Sequence, residues 1–304
     1  MNRGGPGAWL ELMRVSNAPT VITNVLAGIA VGLQARLADT PLPLGTTFLV
    51  LAGVVIVYLA GMVLNDALDA RIDARERPGR PIPSGRISEV RARFVGLVML
   101  LVGTAMLATA SDATFWWAIA LAAFVLLYDL LHALVPGGYL LLAACRALVP
   151  VIAALATSVG TERPLLHWVA GGTFAYVAAV SMAARDEVRG FGRIARLGSW
   201  LLPFAACAPL GMWFAEGVRP ESAFQVTLGV ASVALAVTTV IAGIRRASIG
   251  AARYSVPAAV GTWLGAIPLI DAATCFLLGR PFLGLVCIGL WGVAGALRPR
   301  FAAS

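Results

Sequence analysis

Lysine is absent from this chain of 304 residues; all 23 of its basic residues are arginine. Charge of either sign is scarce, at 12% of residues against 60% hydrophobic, and the mean hydropathy is +0.87. So little polar surface excludes a soluble domain, and the bilayer must serve as solvent. Only four cysteines are present, Cys145, Cys207, Cys275 and Cys287. All stand inside apolar runs without short paired spacing, which excludes a zinc site and a disulfide framework and leaves them as small buried hydrophobes. A net charge of +8 would suit a nucleic-acid partner, yet the arginines gather in short loops between apolar runs. The positive-inside rule accounts for that distribution without a polyanion. No linker or low-complexity tract divides the chain, so residues 1–304 read as a single integral-membrane domain. Residues 1–10 carry glycine and proline instead of a cleavable signal pattern, and the run from Ala18 reads as a retained membrane helix.

About 20 mainly apolar residues suffice for a membrane helix. Runs of that kind lie near 18–35, 45–65, 93–110, 114–131, 138–158, 165–184, 198–215, 223–244, 256–278 and 282–297. The fold class is therefore all-α, a polytopic membrane bundle of nine to ten transmembrane helices. Gly279-Arg280-Pro281 is compatible with a tight hairpin or with a broken helix between the last two runs. The Arg-rich loops 66–92, 185–197 and 245–254 alternate with poorly charged turns, which orients them and the N-terminus toward the cytoplasm of a cell inner membrane. The two richest polar segments, 65–91 and 185–197, then share one side and face a common cavity.

At the end of the second run stands Asn65-Asp66-Ala67-Leu68-Asp69-Ala70-Arg71-Ile72-Asp73. Asn65, Asp69 and Asp73 are four residues apart, so a helix stacks them on one face. Asp66 points about 100° away, suited to ligation through a water or to orienting Asn65. Arg71, Arg75, Arg77, Arg80 and Arg86 follow closely. Oxygen ligands on one face with guanidinium groups nearby suit a magnesium ion that holds a diphosphate. A plainer reading is a helix end that pairs its acids at i+4, as Asp73 with Arg77. Arg146, inside the fifth run, is costly in a bilayer and is expected on a polar cavity. Asp271, in the ninth, is expected to serve pairing or packing. Tyr58, Tyr128 and Tyr176 are placed to line a cavity, where ring faces stabilise a cation.

The pattern Asn65-Asp66-x-x-Asp69-x-x-x-Asp73, with Arg77, Arg80-Pro81 and Ser84-Gly85, resembles the first signature of the UbiA superfamily of intramembrane prenyltransferases. The resemblance implies that Asn65, Asp69 and Asp73 hold magnesium against an isoprenyl diphosphate, with Asp66 beside them, and that Arg77 and Arg80 contact phosphate. It also implies a second acidic motif after the sixth helix. There the chain reads Arg185-Asp186-Glu187-Val188-Arg189-Gly190, and Asp186 and Glu187 have no acid four residues away. One of the pair completes a reduced site, with Asp186 the metal ligand, or Arg185 and Arg189 neutralise phosphate; a solvated charged loop is the alternative. This second pattern resembles the EboC-like branch. In Tyr128-Asp129-Leu130-Leu131-His132, Tyr128 and His132 fall where the family has a Tyr and a basic residue near the diphosphate.

The implied activity is transfer of an isoprenyl group from a polyprenyl diphosphate to a small acceptor, aromatic or otherwise cyclic. Asp69, Asp73, Asp186 and Glu187 are then catalytic, and Arg77, Arg80, Tyr128, His132, Arg146, Arg185 and Arg189 bind substrate. Loop 74–91 closes over the pocket and excludes water. A terpene cyclase of the same superfamily and a transporter or accessory protein that has lost the chemistry are the alternatives. The Asp-Gly-x-x-Ala-Arg opening of CDP-alcohol phosphotransferases is absent.

Overall fold

A bilayer offers the backbone no hydrogen-bond partners, so apolar runs of this length must close their own bonds as helices. The computed structural model describes residues 5–35, 43–132, 134–135, 137–158, 163–184, 192–249 and 255–301, and among these it contains helices and no strand. The α-helices are α1 (Pro6–Leu12), α2 (Ala18–Gly32), α3 (Leu44–Leu68), α4 (Ala70–Glu76), α5 (Glu89–Ala108), α6 (Phe115–Leu131) and α7 (Tyr139–Thr157). They continue as α8 (Arg163–Ala184), α9 (Arg193–Ala206), α10 (Ala208–Ala215), α11 (Ala223–Ile249), α12 (Ser255–Leu264), α13 (Ile267–Leu277) and α14 (Pro281–Phe301). Among the described residues nine helical stretches are long and apolar enough to span a membrane, and Pro281–Leu297 forms a shorter apolar helix.

Two of the expected spans are not continuous. The stretch Arg193–Ala215 breaks at Cys207, between α9 and α10, and Val256–Leu277 breaks at Gly265-Ala266, between α12 and α13. Each second half opens with a proline, Pro209 and Pro268, whose missing N–H ends the preceding ladder. The last hairpin is tight. Gly279 takes φ +71°, its N–H donates to the Phe276 carbonyl and that of Arg280 to the Cys275 carbonyl. This is the glycine-terminated helix end that only a residue free of Cβ strain adopts readily.

Helix α2 lies at the centre and is buried along nearly its whole length, against α3, α7, α13 and α14. Its contact with α7 is close because of Gly28 and Gly32. A Cβ on Gly28 would stand 2.4 Å from the Pro150 carbonyl oxygen and 2.7 Å from Pro150 Cα. Small residues four apart are a common means of bringing membrane helices together. Gly28→Ala is therefore expected to overpack the seam and lower the melting temperature in detergent, at a cost of about 1–3 kcal/mol. An unchanged or raised melting temperature would show that the seam yields freely.

One apolar core gathers α2, α3, α5, α6, α7 and α13, and a second gathers α8, α9, α11, α12 and α13. Tyr176 belongs to the second core, buried, with its hydroxyl donating to the Trp263 carbonyl at 2.8 Å. The expectation that it lines the cavity is thus not met, because its hydroxyl caps the end of α12. All four cysteines are free thiols.

Candidate active site

The oxygen-bearing residues sit on a helix that is interrupted, not continuous. Helix α3 stops at Leu68 and α4 begins at Ala70, with Asp69 between them at φ −81° and ψ 1°. The hydrogen bonds that matter run through the interruption: Asp69 N–H to Asn65 O (2.9 Å), Asp73 N–H to Asp69 O (2.9 Å) and Arg77 N–H to Asp73 O (2.7 Å). Asn65, Asp69, Asp73 and Arg77 thus stay in one row. Asn65, Asp66, Asp73 and Arg80 are buried and Asp69 is half-buried.

Carboxylates collected at this depth need cations, and the chain supplies three. Arg80 Nη1 donates to Asp73 Oδ2 (2.6 Å) and to Asp66 Oδ1 (3.3 Å). Arg14 Nη2 donates to the same Asp66 oxygen at 2.7 Å. On the far side His132 Nε2 faces Asp69 Oδ2 at 3.1 Å, while its Nδ1 faces the Tyr128 carbonyl at 3.0 Å. Both ring nitrogens therefore meet acceptors, which calls for the doubly protonated ring. The Asp69 hydrogen bond and charge hold His132 above the ordinary imidazole pKa, against burial, which acts the other way. The ring stacks on Tyr128, centroids 5.0 Å apart.

The loop after α4 is shaped by its own sequence. Ser84 N–H donates to the Arg80 carbonyl (3.0 Å), as does the Ser84 hydroxyl (2.7 Å), and Ile87 N–H returns to the Pro81 carbonyl (3.0 Å). Gly85 has φ +73°, a conformation that disfavours other residues. Arg86 then forks onto Glu11 of α1, with Nη1–Oε2 at 2.7 Å and Nη2–Oε1 at 3.0 Å. Ala8 and Leu12 of α1 pack with Val63, Ala67, Ile82 and Ile87. The first helix thus clasps the site loop.

These residues open onto a cavity of about 500 Å³. Asn65, Asp69, Asp73, Arg77, Arg80, Arg14, Tyr128 and His132 line it, and Ser181 and Ala184 at the end of α8 form its far wall. Tyr128 and Leu142 also line a second, apolar pocket of about 70 Å³, so the polar cavity has an apolar recess behind it. Arg146 is on the wall of that apolar recess with Tyr58, and not on the polar cavity where the sequence placed it. One face of the Tyr58 ring is taken by Arg146, whose Cζ lies 5.8 Å from the ring centre. Asp271 accepts a hydrogen bond from Asn24 Nδ2 at 2.8 Å, a pairing role.

Arg185, Asp186, Glu187 and Arg189 lie outside the described residues. Arg14, Glu11 and Asp129 were not singled out as site residues by the sequence. Asp129 is buried in the last turns of α6, on the wall of the apolar pocket, and its Oδ2 has no hydrogen-bond partner. An acid inside an apolar run was the available signal.

The donor set fits a hard divalent ion in part. Among the described residues no three His, Cys, Asp or Glu side chains converge closely enough to hold a metal by themselves. Magnesium is commonly bound by one or two carboxylates together with substrate phosphates and water, not by an all-protein cage. A row of one amide oxygen and two carboxylates matches an ion that arrives with its substrate.

The chain is similar to known proteins in part of its sequence and in its fold. A digeranylgeranylglyceryl phosphate synthase of Sulfurisphaera tokodaii is 35% identical over 98 residues, covering 32% of this chain and 33% of that protein. The synthase of Methanopyrus kandleri is 40% identical over 101 residues, covering 33% and 34%. The matched stretch thus spans about a third of each relative. In fold, the chain is similar to a UbiA homologue of Archaeoglobus fulgidus bound to DMAPP and Mg2+ (TM-score 0.60, 15% identity, 92% of this chain and 99% of that one). It is also similar to a solved digeranylgeranylglyceryl phosphate synthase (TM-score 0.61, 16% identity, 90% and 98%). The EboC-like branch rests on the pattern at 185–190 alone. The model of the UbiA prenyltransferase family matches residues 25–298, and the chain belongs to that family.

Proposed function

We propose that this protein is a magnesium-dependent membrane prenyltransferase that takes an isoprenyl group from a polyprenyl diphosphate. The observation that carries the reading is the join between the two cavities. A row of oxygen ligands and a set of cations surround a polar cavity, and an apolar recess begins where Tyr128 and Leu142 are shared. A diphosphate with a hydrocarbon tail has that distribution of charge.

In this reading Asn65, Asp69 and Asp73 hold the ion, and Asp186 of the second motif completes the site with Glu187. Bound magnesium supplies Lewis-acid stabilisation of the diphosphate leaving group. Arg77 and Arg80 hold phosphate oxygens, joined by Arg185 and Arg189, and stabilise the charge that grows on them as the C1–O bond breaks. His132 adds a positive charge on the Asp69 side. Tyr128 presents its ring at the neck, and the clasped loop 77–88 excludes water that would quench an allylic cation. The Arg-rich loops put this side of the protein toward the cytoplasm.

The acceptor separates two classes. The sequence alone favoured a small aromatic or cyclic molecule, whereas the named relatives are digeranylgeranylglyceryl phosphate synthases, which points to a glycerophosphate-type acceptor. The test is product analysis by purified protein in lipid with radiolabelled geranylgeranyl diphosphate, with magnesium or with chelator. Transfer to an added acceptor, lost on chelation and restored by magnesium, is the expected result. Release of a cyclised hydrocarbon without acceptor would mark a cyclase, and no diphosphate release would mark an accessory protein.

A further inference from the structure

Asp129 stands outside the oxygen row. It is buried near the end of α6, on the wall of the apolar recess, with 5% of its surface exposed. A carboxyl group at that depth is costly unless its oxygens are engaged. The cations around it turn toward other groups. His132 directs Nε2 to Asp69 and Nδ1 to the Tyr128 carbonyl, and Arg14 Nη2 donates to Asp66. Arg146, on the wall of the same recess, donates to Asn24 Oδ1 (3.0 Å) and Thr20 Oγ1 (2.7 Å) of α2.

The neighbour that remains is Asn65. Helices α3 and α6 both end at the site, and before it they come close at Gly61. A Cβ there would stand 3.3 Å from Val125 Cγ1. Asn65 and Asp129 follow Gly61 and Val125 by four residues each, so the same two faces meet again one turn on. The Asn65 side chain lies within donating reach of the Asp129 carboxyl. Asn65 Nδ2 and Asp129 Oδ2 are both buried, and neither has a hydrogen bond to another group.

Which way the Asn65 amide faces decides whether it can serve an ion. The amide carries an acceptor oxygen and a donor nitrogen in nearly equivalent positions, and only the oxygen ligates a hard cation. A carboxylate accepts and does not donate. Beside Asp129 the amide therefore turns its nitrogen to the carboxylate, since the reverse orientation sets oxygen against oxygen. Its own oxygen is then left for the polar cavity, where Asp69 and Asp73 continue the row. We propose that Asp129 is a positioning residue, which orients the Asn65 amide so that Oδ1 is presented to the ion; this rests on the prenyltransferase reading above.

The experiment uses the full chain in lipid nanodiscs with a non-hydrolysable geranylgeranyl diphosphate analogue. Binding of Mn2+, a paramagnetic substitute for magnesium, is read by electron paramagnetic resonance, and affinity for the analogue without metal is measured in parallel. Asp129→Leu is expected to weaken Mn2+ binding by about 10- to 100-fold, as loss of a group that orients a metal ligand does, while metal-free affinity for the analogue falls much less. The isosteric Asp129→Asn, whose amide can face either way, should lose a smaller part. It should lose nothing further once Asn65→Ala has removed the amide that Asp129 acts through. Wild-type Mn2+ affinity in folded Asp129→Leu and Asp129→Asn overturns the inference. So does an equal loss from Asp129→Asn with and without Asn65→Ala, or a parallel loss of metal and metal-free analogue binding. Failure of the wild type to bind Mn2+ together with the analogue overturns instead the prenyltransferase reading.

Discussion

Asp69→Ala is expected to reduce magnesium-dependent diphosphate release by at least about 10²–10³-fold, the scale on which single preorganised charge-stabilising groups act. The same change should leave the protein folded. Asp69 is half-buried, its hydrogen-bonding partner His132 is also partly exposed, and the pair is worth at most about 1 kcal/mol at such a position. Once the carboxylate is gone, His132 loses its acceptor and can revert to the neutral ring. Parallel measurement of diphosphate release and of the melting curve in detergent checks both halves. Retained transfer at the wild-type rate would remove Asp69 from the proposed ion site.

Asp66→Ala should behave in the opposite sense, although the residue is only three positions away. Asp66 Oδ1 is the meeting point of Arg14 and Arg80, and the Asp66 side chain is 6% exposed. Removal of one partner from a buried ionic group leaves charges stranded, at about 3–5 kcal/mol. The expected result is a large fall in melting temperature, well beyond that of Asp69→Ala. If stability is unchanged and only the response to magnesium is lost, Asp66 acts on the ion through a bridging water, the role its helical phase suggested.

These two residues show what sequence spacing conveys and what it omits. The i, i+4 row is legible because it depends only on helical geometry, and it survived even the break at Asp69, where the backbone bonds continue. The spans are legible because the bilayer imposes their length. The breaks at Cys207 and Gly265-Ala266 had a signal in Pro209 and Pro268, which the uninterrupted hydropathy masked. The partners of the acids were not legible. Arg14 reaches Asp66 across 52 positions and Glu11 reaches Arg86 across 75, and no local pattern encodes contacts at that separation. Arg146 was legible as a buried charge, but its bonds to α2 depend on the close α2–α7 seam made by Gly28 and Gly32, a tertiary fact. Tyr58 was expected to face a carbocation, and the structure gives one of its faces to Arg146.

On the prenyltransferase reading, the clasp of α1 on the site loop would make docking of the first helix and occupancy of the site a linked equilibrium. Glu11 holds Arg86, Arg14 holds Asp66, and Leu12 packs beside Ile82 and Ile87. Whatever favours the closed loop must then favour the docked helix by the same free energy, and the converse holds equally. A lipid or a protein that draws α1 away would weaken substrate binding without touching substrate, and a substrate that closes the loop would resist that withdrawal. On the prenyltransferase reading, a partner of the first helix and a diphosphate in the cavity would be two ligands of one equilibrium.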